Sequence, residues 1–221
     1  TKNKATTGSG VSTAQGGGCI YVGGEKNAAA ADNTEIVIDN CLFTENDSRY
    51  TGAVMTFRGT KCSMTDVKVE DNKSGYSGTV ALYCGDAEVL NCSFKSNVIE
   101  HDYGAAILTY ANPLTVRNSD FTGNIAKTFG GAVAIYGGTT NIIDGCKFTG
   151  NSATQRNGNV YGGAIYVSQK GTTLNVDGAT FTDNKVSNSY VSAEGKANTS
   201  AFGGSITANT GTFLNVRNTA F

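Results

Sequence analysis

The sequence predicts an all-β protein, a right-handed parallel β-helix of about six to seven coils. The main observation is a repeat. Phe-x-x-Asn stands at Phe43–Asn46, Phe94–Asn97, Phe121–Asn124, Phe148–Asn151 and Phe181–Asn184, with a degenerate copy at Val69–Asn72. The Asn positions 46, 72, 97, 124, 151 and 184 are separated by 26, 25, 27, 27 and 33 residues. Between them a second repeat recurs, a small-residue cluster running into apolar residues: TGAV at 51–54, SGTV at 77–80, GAAI at 104–107, GGAV at 130–133, GGAI at 162–165 and GGSI at 203–206, with GGGCI at 16–20 opening the series. Apolar residues otherwise alternate with polar ones, and 29 Gly are spread through 221 residues, which argues for strands over helix.

Each repeat reads in a fixed order. The small cluster leads into apolar-x-apolar, a turn follows, then a second apolar-x-apolar run such as Leu114-Thr115-Val116 or Leu174-Asn175-Val176, then Phe-x-x-Asn. Three short strands fit in one repeat. A unit this small cannot bury its own apolar face, so copies must stack, and strands recurring in one order and direction stack as parallel ladders. Right-handedness follows from the preference of parallel crossover connections. Rungs about 4.8 Å apart give a rod about 30 Å long.

Register then assigns jobs to the repeat residues. The Phe positions stack inside the coil, where each ring can bury about 150–250 Å², and Val69 leaves one rung under-filled. Asn46, Asn72, Asn97, Asn124, Asn151 and Asn184 sit where the chain leaves that strand, placed to hydrogen-bond along the axis as an amide ladder. Gly before the next strand supplies positive φ or room for close backbone approach. The residue after it is small throughout (Cys19, Ala53, Thr79, Ala106, Ala132, Ala164, Ser205), as a tight interior corner requires. A second polar ladder is expected through Asn40, Asp66, Asn91, Asn118 and Asn218, interrupted by Gly145 and Gly178.

Seventeen basic against eighteen acidic side chains leave no electrostatic excess for a phosphate backbone, so nucleic acid is not an expected partner. No stretch approaches the roughly 20 apolar residues of a membrane span, and this segment is not expected to insert in a bilayer. Six Cys without C-x-x-C, and one His, give no zinc or His-cluster pattern; no metal or cofactor is expected. Cys41, Cys92 and Cys146 share a slot two residues before Phe and read as small core residues. Cys62 and Cys84 fall near one turn on neighbouring rungs and are the pair best placed for a disulfide, with free core thiols as the alternative.

Insertions at 152–161 and 185–202 leave from the same turn of adjacent coils and should lie side by side on one edge; a third, 23–33, leaves elsewhere. Loops set on a rigid scaffold commonly carry binding. Arg156, Tyr161, Tyr190 and Lys196 offer stacking and charge to a glycan or protein partner, against the alternative that the insertions are only tolerated. His101, beside Glu100 and Asp102, reads as an exposed side chain without catalytic partners. Sequons stand at Asn46, Asn72, Asn91 and Asn198, the first three on expected ladders, so that only Asn198 reads as accessible.

Phe-x-x-Asn alternating with Gly-Gly-Ala-apolar over nearly the whole chain resembles the repeat pair of the polymorphic outer-membrane proteins and related adhesin-like surface proteins of microbes. The resemblance implies a β-helical passenger or stalk of an exported adhesin, and it implies no catalytic residues. Residues 1–221 thus read as a single β-helix domain, an excerpt of a longer repeat chain, since neither end carries a capping helix. The expectation is a non-enzymatic, extracellular, cell-surface segment, autotransporter-like, binding a host-cell surface protein or glycan, with head-to-tail self-association as a further option. The rival readings are a polysaccharide lyase or glycoside hydrolase fragment and a filament subunit. For the enzyme, Asp39, Asp144 and Asp177 share a slot, and Asp144 and Asp177 should stand on adjacent rungs, near the carboxyl separation a glycosidase uses. Arg117 and Arg217 in neighbouring slots make an outward ladder of alternating charge the simpler expectation. Thr122, Thr149 and Thr182 form a short outward Thr row, broken by Glu70 and Lys95.

Overall fold

The computed structural model describes residues 3–5, 18–22, 34–76, 78–101, 103–111, 113–155, 158–188 and 200–221, and among these there is no helix. Every strand pairing is parallel, and each strand pairs with its counterparts in the coils before and after it. The chain is a parallel β-helix.

Among the described residues four ladders run along the rod, one more than the sequence predicts, and a fifth, shorter one links Tyr103, Phe129, Val160–Tyr161 and Ala201–Phe202. The corner ladder includes Ile20–Val22, Ile107–Thr109, Val133–Tyr136, Ile165–Ser168 and Ile206–Ala208. The second ladder includes Glu35–Asp39, Leu114–Arg117, Thr139–Ile143, Thr173–Asp177 and Phe213–Arg217. In two coils the turn between these ladders is absorbed into single strands, Met55–Thr65 and Val80–Leu90. The Phe ladder follows, from Leu42–Thr44 to Thr180–Thr182. The unexpected fourth ladder is a short strand leaving each Asn, two residues long in Asp47–Ser48, Lys73–Ser74 and Val98–Ile99 and four in Ser152–Gln155 and Lys185–Asn188. It forms because the Asn46 and Asn72 carbonyls accept from Lys73 and Val98 of the next coil at 2.8 and 2.9 Å, holding the chain extended past the Asn. Two residues are too short a run to show periodicity.

The interior confirms the stacking arithmetic. Phe94, Phe121, Phe148, Phe181 and Phe221 form a continuous stack with centroid spacings of 4.9, 4.7, 4.7 and 5.1 Å and interplanar angles of 10° or less. Val69 does not leave its rung empty. Its own coil contributes Phe57, Met55 and Met64, all 0% exposed and in the same apolar cluster, so bulk missing from one face enters from another.

The amide ladder is continuous and fully engaged. Each Asn Nδ2 donates to the Oδ1 of the next: Asn46 to Asn72 at 2.8 Å, Asn72 to Asn97 at 3.0 Å, Asn97 to Asn124 at 2.9 Å, Asn124 to Asn151 at 2.9 Å and Asn151 to Asn184 at 3.0 Å. That same Oδ1 accepts from the preceding Asn backbone N–H, and the remaining Nδ2 hydrogen goes to a backbone carbonyl such as Phe94 or Phe121. Asn3 joins ahead of Asn46 at 3.0 Å, a member hidden from the repeat because no Phe precedes it.

Two register details differ from the sequence reading. Ile20 pairs with Met55 and Met55 with Val80, so Val54, not Ala53, occupies the interior corner of that coil. The slot through Asn40, Asp66, Asn91, Asn118 and Asn218 is set by conformation: all have φ between 42° and 53°, and Gly145 and Gly178 share the left-handed turn at 80° and 71°. The glycines therefore continue this series. At the corners the Gly-Gly doublets divide the two expected tasks. Gly162 has φ +63, while a Cβ on Gly163 would lie 2.0 Å from the Gly204 carbonyl oxygen.

Candidate functional site

The two long insertions do leave and return side by side. Ser152–Gln155 pairs with Lys185–Asn188, and Val160–Tyr161 with Ala201–Phe202. Ser200 N–H donates to Asn159 Oδ1 at 2.9 Å, and Asn159 Nδ2 donates to the Tyr161 hydroxyl at 3.0 Å, tying the returning stems together. Of the four loop-patch residues, Tyr161 is in place on this edge; Arg156, Tyr190 and Lys196 lie outside the described residues, as do Asn198 and the 23–33 insertion.

Tyr161 belongs to a larger aromatic edge. An aromatic residue stands immediately before four successive corner glycines, as Tyr103-Gly104, Phe129-Gly130, Tyr161-Gly162 and Phe202-Gly203. These rings stack along the axis at 4.9, 5.3 and 5.0 Å. The corner strands supply a second row, Tyr83, Tyr110 and Tyr136, with centroids 5.1 and 5.5 Å apart. Tyr166 bridges the rows, 4.6 Å from Phe129 and 5.9 Å from Tyr136. The Arg58 guanidinium lies 4.5 Å from the Tyr83 ring centroid, an attractive cation–π arrangement.

This edge has a structural foundation. Ala81, Leu108, Ala134 and Tyr166 alternate with core residues along the corner strands; they are at most 5% exposed, yet lie outside the main core cluster. They form a thin apolar layer on the outer side of the sheet, onto which the glycine corners fold back. The stacked rings spend their faces on one another and offer edges and hydroxyls to solvent, with Tyr110 and Phe202 the most exposed at 40% and 43%. Burial, then the neighbouring Tyr103, Tyr166 and Tyr110 and a hydrogen bond with Tyr103, pushes the Tyr136 hydroxyl well above its ordinary range. Burial raises Tyr83 and Tyr110 as well. The phenols therefore stay uncharged and the surface is amphipathic, with Arg58 as its cation at one end, able to meet the hydroxyls and C–H faces of a saccharide or a polar peptide. The sequence signal for it is the aromatic-Gly dipeptide, one residue ahead of the small-residue repeat.

The carboxylate pair that the enzyme alternative needs is offset in register, and the alternating charge that the sequence favours is what forms. Ile142 faces Val176 and Asp177 faces Arg217, while Asp144 is an extra residue at φ 57 in the turn. Its carboxylate pairs with Arg117 at 2.5 Å, and Asp177 Oδ1 accepts from Asn218 Nδ2 at 2.8 Å. Asp39 pairs with Thr65. His101 is exposed and packs on Tyr76 at 4.8 Å, beside a Glu100 that forms an ion pair with Lys73 at 2.8 Å. That hydrogen bond holds the Glu100 carboxyl below its usual range.

The disulfide expected between Cys62 and Cys84 is absent. Both are buried free thiols, with Cys62 opposite Ala87 and Cys84 opposite Gly59 in the register. Burial pushes both up to about 12 and Cys92 to about 11. The shared slot of Cys41, Cys92 and Cys146 has a task beyond packing: each thiol donates to a turn carbonyl, of Asp39, Leu90 and Ile143, at 3.2 Å. Ser119 and Thr219 do the same with hydroxyls, to Arg117 at 2.7 Å and Arg217 at 2.6 Å. Among the described residues, burial holds the shifted thiols and phenols in their neutral form while Lys73 and Glu100 hold each other charged, and no three His, Cys, Asp or Glu gather into a metal-binding group.

Neither the curated proteins nor the solved structures gave a match to this chain. A family match covers residues 3–221, in agreement with the ladders just described: the chain belongs to the right-handed β-helix region family.

Proposed function

We propose that this chain is a non-enzymatic segment of an extracellular, adhesin-like surface protein, a rigid β-helical passenger or stalk that presents one edge to a host-cell glycan or surface protein. The observation that carries the reading is the convergence of two paired insertions with eight aromatic residues on that edge. Large amphipathic rings on a fixed scaffold bind with little loss of side-chain freedom. Support against the lyase or hydrolase alternative comes from Asp144 and Asp177, each engaged by a different side chain.

The test compares the intact chain with two variants for retention on host cells and on arrays of immobilised neutral and acidic glycans. One variant replaces 189–199 by a short Gly-Ser linker; the other carries Tyr110→Ala with Phe202→Ala. Loss of retention in either, with the β-sheet circular dichroism unchanged, is the expected result. Equal retention by both variants would place the contact elsewhere, and no retention by the intact chain on any surface would leave a stalk without a binding edge.

A further inference from the structure

We propose that Asn91 is an acceptor site for an N-linked glycan, an inference that rests on the extracellular reading above. Three sequons fall on ladder positions, Asn46-Asp47-Ser48, Asn72-Lys73-Ser74 and Asn91-Cys92-Ser93. The sequence groups them as inaccessible, but the structure separates them.

Asn46 and Asn72 are 1% exposed. Their amides are committed: Asn46 Nδ2 to Asn72 Oδ1, and Asn72 Nδ2 to Asn97 Oδ1 and to the Phe43 and Glu70 carbonyls. A sugar on either nitrogen would remove a ladder donor and need volume inside a closed coil. Asn91 is different. It is exposed, with φ 53, in the left-handed turn between Val80–Leu90 and Ser93–Lys95. Its Oδ1 accepts from Asn118 Nδ2 at 2.8 Å, which fixes the amide orientation, and no described residue accepts from its Nδ2.

Glycan transfer bonds the anomeric carbon of a lipid-diphosphate-linked sugar to Nδ2. One Nδ2 proton leaves and the lipid diphosphate departs. The amide oxygen is untouched, so the Asn118 hydrogen bond survives modification. Ser93 supplies the hydroxyl two residues on, and the flanking turn residues Asp66 and Asn118 are exposed and polar. Because transfer occurs on the unfolded chain, chains modified at Asn46 or Asn72 cannot close their coils, whereas a chain modified at Asn91 folds with its glycan in solvent.

The full chain, secreted from a glycosylating eukaryotic host behind an added signal and carrying a reporter sequon in a C-terminal tag, is digested and site occupancy read by mass spectrometry. The expected result is glycan on the reporter and on Asn91, none on Asn46 or Asn72, and loss of one glycan mass in Asn91→Gln with the sheet spectrum retained. An occupied reporter with bare Asn91 would overturn the proposal, as would folded protein carrying glycan at Asn46 or Asn72. Occupancy at Asn91 in a chain that binds no glycan or cell surface would sink the adhesin reading alone.

Discussion

At the scale of the residue, the Asn ladder sets the tightest constraint, because each amide serves neighbours on both sides. Asn124→Ala strips the acceptor from the Asn97 backbone N–H and Nδ2 and the donor from the Phe94 carbonyl. Each buried group left unpaired costs about 1–3 kcal/mol, so the loss should be at least about 3 kcal/mol in chemical denaturation. Asn184→Ala, where the site is part-exposed and water can substitute, should cost less. Val69→Phe restores the repeat but not the fit: Phe57 and Met64 already fill that coil, so overpacking should cost about 1–3 kcal/mol, and a raised melting temperature would contradict this volume compensation. Thiol labelling gives a third test. With Cys62 and Cys84 pushed up to about 12 by burial, both should resist alkylation in mildly alkaline buffer until the chain unfolds, while part-exposed Cys19 and Cys41 label before them. The Phe and Asn positions were legible because their spacing exposes them. The thiol-to-carbonyl bonds of Cys41, Cys92 and Cys146 were not, since a small core residue and a turn-capping donor look alike in sequence.

At the scale of the element, the corner and Phe strands could be read from alternation, but the short ladder after each Asn could not. Its extended conformation comes from hydrogen bonds to the next coil, not from its own residues. The adjacent Asp144/Asp177 pair of the enzyme alternative is offset for a related reason, and the alternating charge with Arg117 and Arg217 forms instead. Counting back from Phe assumes equal turns, and the turn at Asp144-Gly145 holds one residue more than its neighbour, which moves Asp144 to Arg117. The aromatic edge was half legible: Tyr161 was identified from its loop, while Tyr103, Phe129 and Phe202 share its place before the corner glycine. Because the insertion stems are held by strand pairs at both ends, replacing 189–199 by a linker should change unfolding stability by no more than about 0.5 kcal/mol.

At the scale of the whole molecule, each coil is secured by the one before and after it, so stability is distributed along the axis and the outer face is free to vary. The near-neutral charge balance, the aromatic edge and the paired insertions fit a surface whose task is contact. The most direct test of that account incubates the chain with a panel of acidic and neutral polysaccharides and host glycans, following co-sedimentation and reducing-end release in the same tubes. The account predicts retention of at least one glycan with no new reducing ends. Release of reducing ends that persists on purification and is lost with Asp144→Asn or Asp177→Asn would contradict it and establish an enzyme at the Asp144/Asp177 turn.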